Sequence, residues 1–374
     1  AAITQIKAVV TRVARKPAHE AQPIAFKLAD RWLESKRSEW GWNTKHQPLP
    51  PDEWLSTVKN RPLMQQSLEK LKTNKLPKLR WQLFVKLEFG DNAKPRAIQS
   101  MPPEWQAFLG PALKSVMYRV EKAWHADSPT FYAGSSDPDE LHHYLQRLEK
   151  LRCSHHFDCN DYSMFDCTHS RLSFEFVEKW YARLVYLTRQ QRQALVTKRI
   201  PKGRLRCGIR YKAPKEQNGS GCPDTSLLNG FISMPALFVS SMAAIHNCEF
   251  EHLLNLNTEE FAQAVQKTEK MALIVASGDD SVVAIHKTVD NKQIPRHLNR
   301  FGFTVTQNDN NTFEDMVFLA NRPYPVGGVE YWGPTIGRRA FKHHFCKEPT
   351  CHLSAWLRGV AIGNPYPHVP ILSE

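Results

Sequence analysis

The chain has 374 residues, 41% of them hydrophobic, enough for one large domain or two to three subdomains around a sizeable core. Its formal net charge of +13 favours a polyanionic partner, either nucleic acid or an acidic membrane surface. Eight cysteines are too few for a disulfide scaffold of this length, so reduced thiols are expected.

Residues 1–79 are basic and punctuated by proline, with helices expected over Pro23–Lys36 and Pro62–Lys72. Trp32, Trp40, Trp42 and Trp54 lie among lysines and arginines. Such aromatics either stack on bases or anchor an extended arm by packing, and packing is the expectation. Residues 80–99 read as a hairpin, with Lys86 and Glu88 on the first strand and a Gly-Asp-Asn turn at 90–92. Lys94 and Arg96 follow two residues apart on the second strand and so share a face. Cations converging in this way suit a triphosphate, although a solvated hairpin has the same pattern.

Asp137, Pro138 and Glu140 open a helix that runs to about Leu151. A strand is expected near Ser154–Asn160, leading into Asp161-Tyr-Ser-Met-Phe-Asp166. Two aspartates five apart would sit at the end of that strand, before a helix that Thr168 could cap, and Asp158 is a rival acid on the same strand. Residues 189–216 read as a β-rich basic insertion.

Ser220 and Gly221 lie in a flexible loop, and Thr225 and Asn229 follow on one face of a helix. Thr225 to Cys248 contains no charged residue, yet Asn229, Pro235 and several serines favour a buried helix over a membrane span. A charged helix over 259–270 precedes two β-branched runs flanking Gly278-Asp279-Asp280, the pattern of a tight hairpin. Two adjacent carboxylates repel unless a cation joins them, and hard oxygen donors point to Mg²⁺. An exposed polar turn would look the same.

Further on, an amphipathic element spans about 289–301, and Gly302–Thr306 is strand-like. Asp315–Pro323 reads as the first strand of another hairpin, with the second near Val329–Trp332. His343, His344, Cys346, Cys351 and His352 offer half of a zinc pattern with no matching second half. There is no phosphate-binding Walker loop, dinucleotide fingerprint or serine elbow.

The order of these pieces is more specific than any one of them. A basic hairpin, Asp-x₄-Asp, Ser-Gly-x₃-Thr-x₃-Asn and Gly-Asp-Asp follow one another from about Arg80 to Arg322. This resembles the RNA-dependent RNA polymerases of positive-strand RNA viruses, with Asp-Tyr-Ser-Met-Phe-Asp and Lys-Pro-Arg-Ala-Ile-Gln closest to tombusvirus-like and nodavirus-like lineages.

The resemblance implies an α+β right-hand fold of fingers, palm and thumb, with an antiparallel palm sheet backed by helices. It divides the chain into a basic arm (1–79), fingers (80–150), palm (151–175), a fingers insertion (176–214), palm (215–322) and a short thumb (323–374). It makes Asp161, Asp279 and Asp280 the catalytic and metal-binding acids, holding two Mg²⁺ ions for which Mn²⁺ can substitute. Asp166, Thr225 and Asn229 would read the ribose, Ser220 and Gly221 would form the mobile nucleotide loop, and Lys86, Lys94 and Arg96 would meet the triphosphate. Phe318, Leu319 and Arg322 would grip the primer.

If the Gly302 stretch is aligned on its glycine, Asn310 stands where relatives carry a lysine acid, which leaves Arg300, His297 or a water as candidates. Implied partners are template and product RNA, ribonucleoside triphosphates and other viral replication proteins. The implied setting is host cytoplasm, in a membrane-associated complex held there by segments or partners outside this chain. A reverse transcriptase shares the acidic palm but excludes the 2′-hydroxyl, and a non-catalytic RNA scaffold shares the basic charge.

Overall fold

The computed structural model of the chain describes residues 2–14, 17–85, 97–163, 165–205, 207–307, 312–326 and 329–335. In chain order the strands are β1 (Trp81–Val85), β2 (Ala97–Ser100), β3 (Thr130–Tyr132), β4 (His155–Tyr162), β5 (Lys202–Leu205) and β6 (Arg210–Lys212). Then come β7 (Ala272–Ser277), β8 (Asp280–His286), β9 (Val305–Gln307), β10 (Asn321–Val326) and β11 (Val329–Pro334). Helices connect and cover them, so the described architecture is mixed α and β.

The β-branched runs around Gly278 become β7 and β8, the middle of a five-stranded sheet ordered β3-β7-β8-β4-β9. Three of its pairings are antiparallel, and β3 joins β7 in parallel at one edge, so the sheet is not wholly antiparallel. Both faces are buried: Val275, Val282 and Ala284 face one apolar cluster, while Ile274, Val283 and Ile285 face another. Burial on both sides explains why these strands are almost continuously apolar rather than alternating.

The helix Thr225–Ile245 packs against β7 and is buried at every position from Leu227 to Ile245. It is long and apolar enough to cross a membrane, but here it is the central core helix. The helices Pro23–Lys36 and Gln293–Asn299 also lie against it. The first starts where the sequence reading places it, with proline in its opening turn.

The N-terminal tryptophans are packing residues. Trp32 stacks on Phe238 of the core helix at 4.2 Å, and Trp42 stacks on Phe231 at 6.1 Å. Trp32, Trp42 and Trp54 are buried and Trp40 is half-buried, which rules out base stacking by the first three. A tryptophan removes roughly 200 Å² from water, about 5 kcal/mol before ordering entropy, so the arm is part of the core.

Several boundaries differ from the sequence reading. Thr168 does not cap the following helix; it closes a short turn, Phe165–Thr168, by donating to the Phe165 carbonyl. Ser170 caps Arg171–Leu184 instead, in a reciprocal box with Ser173. The basic insertion is not mainly β. It begins with the helix Arg189–Lys198, whose Thr188–Gln191 capping box was hidden among cations. The last hairpin starts at Asn321 rather than Asp315, because Leu319 and Ala320 turn the chain through left-handed backbone (φ 52° and 58°).

Candidate active site

The tip of β7–β8 is a two-residue turn. Ser277 pairs with Asp280, leaving Gly278 and Asp279 between them. Gly278 has φ +68°, as the first central residue of a II′ turn requires. Asp279 and Asp280 are both exposed. On its other side β8 pairs with β4, and the register sets Asp161 directly across from Asp280. Asp161 also pairs with Thr306 of β9, so it occupies a central strand. From the core helix, the Ser233 hydroxyl donates to the Gly278 carbonyl at 3.2 Å and ties the turn down.

Asp279 and Asp280 at the sheet end carry hard oxygen donors of the kind that suit a divalent cation, and the backbone of Asp161 lies beside them. Among the described residues no three acidic, His or Cys side chains are already gathered as a cage. The Asp161 side chain lies outside what the structure describes; its backbone is placed by the register. Asp158, the rival acid, is fully buried, and its Oδ1 accepts from Asn291 Nδ2 at 2.7 Å. Burial raises its pKa to about 7, although the Asn291 bond works in the other direction. It is a core residue, out of a soluble ion's reach.

Asp166 sits in the short helical turn after β4. Asn229 Nδ2 donates to its Oδ1 at 3.0 Å, so the strand-end acid and the core helix meet as expected. His169 Nε2 lies 2.9 Å from Asn229 Oδ1 on the far side of the carboxamide. The sequence reading missed His169; only its position three residues after Asp166 hinted at it. Its ring is 0% exposed, and burial pushes its pKa down to about 4.

The loop before the core helix is tied on three sides. Gly221 N–H donates to the Gln99 carbonyl at 2.8 Å, and a Cβ at Gly221 would come within 2.4 Å of that oxygen. Ser220 Oγ accepts from Gln99 N–H and donates to the Ala97 carbonyl. Thr225 Oγ1 lies 3.0 Å from both the Gly219 and Cys222 carbonyls. Asn218 N–H donates to the Asp166 carbonyl at 3.0 Å. Beneath the loop, Lys198 and Asp224 form a buried ion pair at 2.8 Å, and the Cys222 thiol donates to the same carboxylate. Burial pulls the Lys198 pKa down, but Asp224, helped by Cys222 and Glu178, outweighs it and holds the ammonium above its ordinary value. This anchor was also missed, because its two charges lie 26 residues apart in sequence.

Lys86, Lys94, Arg96, Asn310 and the cluster His343, His344, Cys346, Cys351 and His352 lie outside the described residues. On either side of the stretch that holds Lys86, Lys94 and Arg96, β1 and β2 pair antiparallel in a sheet ordered β2-β1-β5-β6. On its β5–β6 edge Lys202 faces Lys212 and Arg204 faces Arg210, all four exposed. Like charges directly opposed across strands repel, and a bound polyanion would relieve that repulsion. Phe318 is buried among Phe313, Met316 and Trp332 and supports the last hairpin from within. It cannot touch a primer; Leu319 and Arg322 are half-exposed. Arg300 is held by Gln22, Glu249 and Glu251, and His297 is buried against Phe250, so neither proposed acid is unengaged.

The family model for viral RNA-dependent RNA polymerase matches residues 57–331, and the chain belongs to that family. It is therefore an RNA-directed RNA polymerase, a nucleotidyltransferase of viral RNA replication whose substrates are RNA and nucleoside triphosphates, and the family uses divalent metal ions. No curated protein matches the chain.

Proposed function

We propose that this polymerase copies a positive-strand RNA genome through a site built from Asp161, Asp279 and Asp280, with a right-hand arrangement around it. The five-stranded sheet serves as palm, the β2-β1-β5-β6 sheet as part of the fingers, and the chain beyond 322 as thumb. The observation that carries this reading is the register of Asp161 against Asp280 beside an exposed Asp279, with the Asp166–Asn229 pair at the end of the same strand.

The three carboxylates would hold two Mg²⁺ ions, or Mn²⁺ in their place, which acidify the attacking 3′-hydroxyl and neutralise the departing pyrophosphate. The chain itself contributes position and electrostatics. The rigid hairpin fixes two acids, and the Ser233 bond keeps the turn from tilting. Asp166 and Asn229 offer an acceptor and a donor to a ribose 2′-hydroxyl, with Thr225 holding the loop one helical turn earlier. Ser220 and Gly221 shape that loop over the incoming nucleotide. Lys86, Lys94 and Arg96 would meet its triphosphate, and Leu319 and Arg322 the primer strand.

A reverse transcriptase would close the ribose site with bulk, and the hydrogen-bonded polar pair Asp166–Asn229 supports the ribonucleotide reading instead. RNA would lie along basic surfaces such as the β5–β6 edge, held by backbone rather than sequence.

The test is extension of a short primed RNA with and without Mg²⁺, wild type beside Asp279→Asn. Extension should require the metal and fall by at least ~10³-fold in the variant, while RNA affinity stays within a few-fold. Equal synthesis by the variant would refute the assignment. So would equal incorporation of ribo- and deoxynucleotides by the wild type.

A further inference from the structure

A buried carboxamide has two orientations of nearly equal shape, differing only in which end donates. Asn229 is 5% exposed, and Asp166 Oδ1 lies on one side of its amide with His169 Nε2 on the other. A carboxylate only accepts, so the NH₂ group must face Asp166 and the carbonyl oxygen must face His169. His169 must then carry its proton on Nε2. Nδ1 of the same ring is buried and has no hydrogen-bond partner, so nothing on that side competes for the proton. Phe165 and Phe174 flank the ring edge-on, at 4.8 and 6.0 Å, and hold its plane. Burial also keeps the imidazole neutral well above its depressed pKa of about 4, so one tautomer persists throughout the working pH range.

We propose that His169 is a positioning residue for sugar selection: its Nε2–H locks the Asn229 carboxamide in the orientation that presents a donor to Asp166 and the ribose. The inference rests on the reading that Asp166 and Asn229 recognise the 2′-hydroxyl. His169 itself touches neither substrate nor reacting atoms. Without its proton, Asn229 Oδ1 becomes a buried acceptor with no partner. The amide is then held on the Asp166 side alone and tilts in search of another donor for its oxygen, which moves its own donor off the line to the ribose.

The experiment compares kcat/KM for a ribonucleotide and its 2′-deoxy analogue in wild type, His169→Leu, His169→Gln and Asn229→Ala, with thermal melting of each. Glutamine can place an amide N–H where Nε2 stands; leucine fills similar space without a donor. His169→Leu should lower the ribose preference roughly 10-fold, chiefly through KM for the ribonucleotide, and His169→Gln should restore most of it. Equal loss in His169→Gln and His169→Leu would show that shape, not the proton, matters and would overturn the proposal. Relaxed selection in Asn229→Ala with none in His169→Leu would also overturn it while leaving the sugar-recognition reading intact. No change in Asn229→Ala would remove that reading and the proposal with it. If His169→Leu does not fold, His169→Met takes its place in the same comparison.

Discussion

Replacing Asp158 by asparagine should stabilise the protein above neutral pH and leave it nearly unchanged near pH 4. The carboxyl is 0% exposed, its Oδ1 accepts from Asn291, and its Oδ2 has no partner among the described residues. Burial lifts its pKa to about 7, against roughly 4 in an unfolded chain. A carboxyl with a raised folded-state pKa holds its proton more tightly when folded. Its contribution is therefore fully present below about pH 4 and is lost as pH rises towards 7. Three pH units correspond to about 4 kcal/mol, all of it unfavourable to the wild type at pH 8. For a chain of this length that is about 5 °C in Tm. Melting curves of wild type and variant at pH 5, 6, 7 and 8 should diverge steadily, with the variant higher. Parallel curves, or a variant that melts lower at pH 8, would show that Asp158 is ionised in the fold and that its burial is compensated.

Two further outcomes follow from the charges beneath the loop before the core helix and on the outer sheet. Lys198→Met leaves Asp224 buried without its partner and should cost about 3–5 kcal/mol. Lys198→Met combined with Asp224→Asn should recover much of that by denaturant melt, and equal losses in the two proteins would refute the coupling. Serine at Lys202, Arg204, Arg210 and Lys212 together should lower the slope of log K against log salt for single-stranded RNA by up to about 3. An unchanged slope in filter binding would mean that this edge does not carry RNA.

Much of the site was legible because its chemistry depends on short-range pattern. Gly278 between two β-branched runs can hardly be anything but a hairpin tip, and β7 and β8 form there. Thr225 and Asn229, four apart on a helix, do share a face. What was hidden is what long-range packing decides. No local pattern shows that Lys198 reaches Asp224, that His169 sits behind Asn229, or that Phe318 turns inward. The cap of the Arg171–Leu184 helix was misplaced because Thr168 and Ser170 are both capping types, and the turn at Phe165–Thr168 settles which one is used. Asp158 looked like a rival to Asp161 because both lie on β4, and no local pattern showed that Asp158 is fully buried.

The pieces of the site share one support. Thr225, Asn229 and Ser233 fall at intervals of four along the core helix, so all three project from nearly the same face. Thr225 fixes the loop carbonyls, Asn229 holds Asp166, and Ser233 holds the Gly278 turn. Successive members of the row are about 6 Å apart along the axis, so the helix spaces the loop before it, the Asp166 contact and the acidic turn like marks on a ruler. A helix buried on all sides from Leu227 to Ile245 cannot shift along its axis without disturbing the packing around it. The spacing between the Asp166–Asn229 pair and the Gly278 turn is therefore set by core packing rather than by loops. This explains why so apolar a helix keeps three polar side chains on one line, each hydrogen-bonded to a different part of the site.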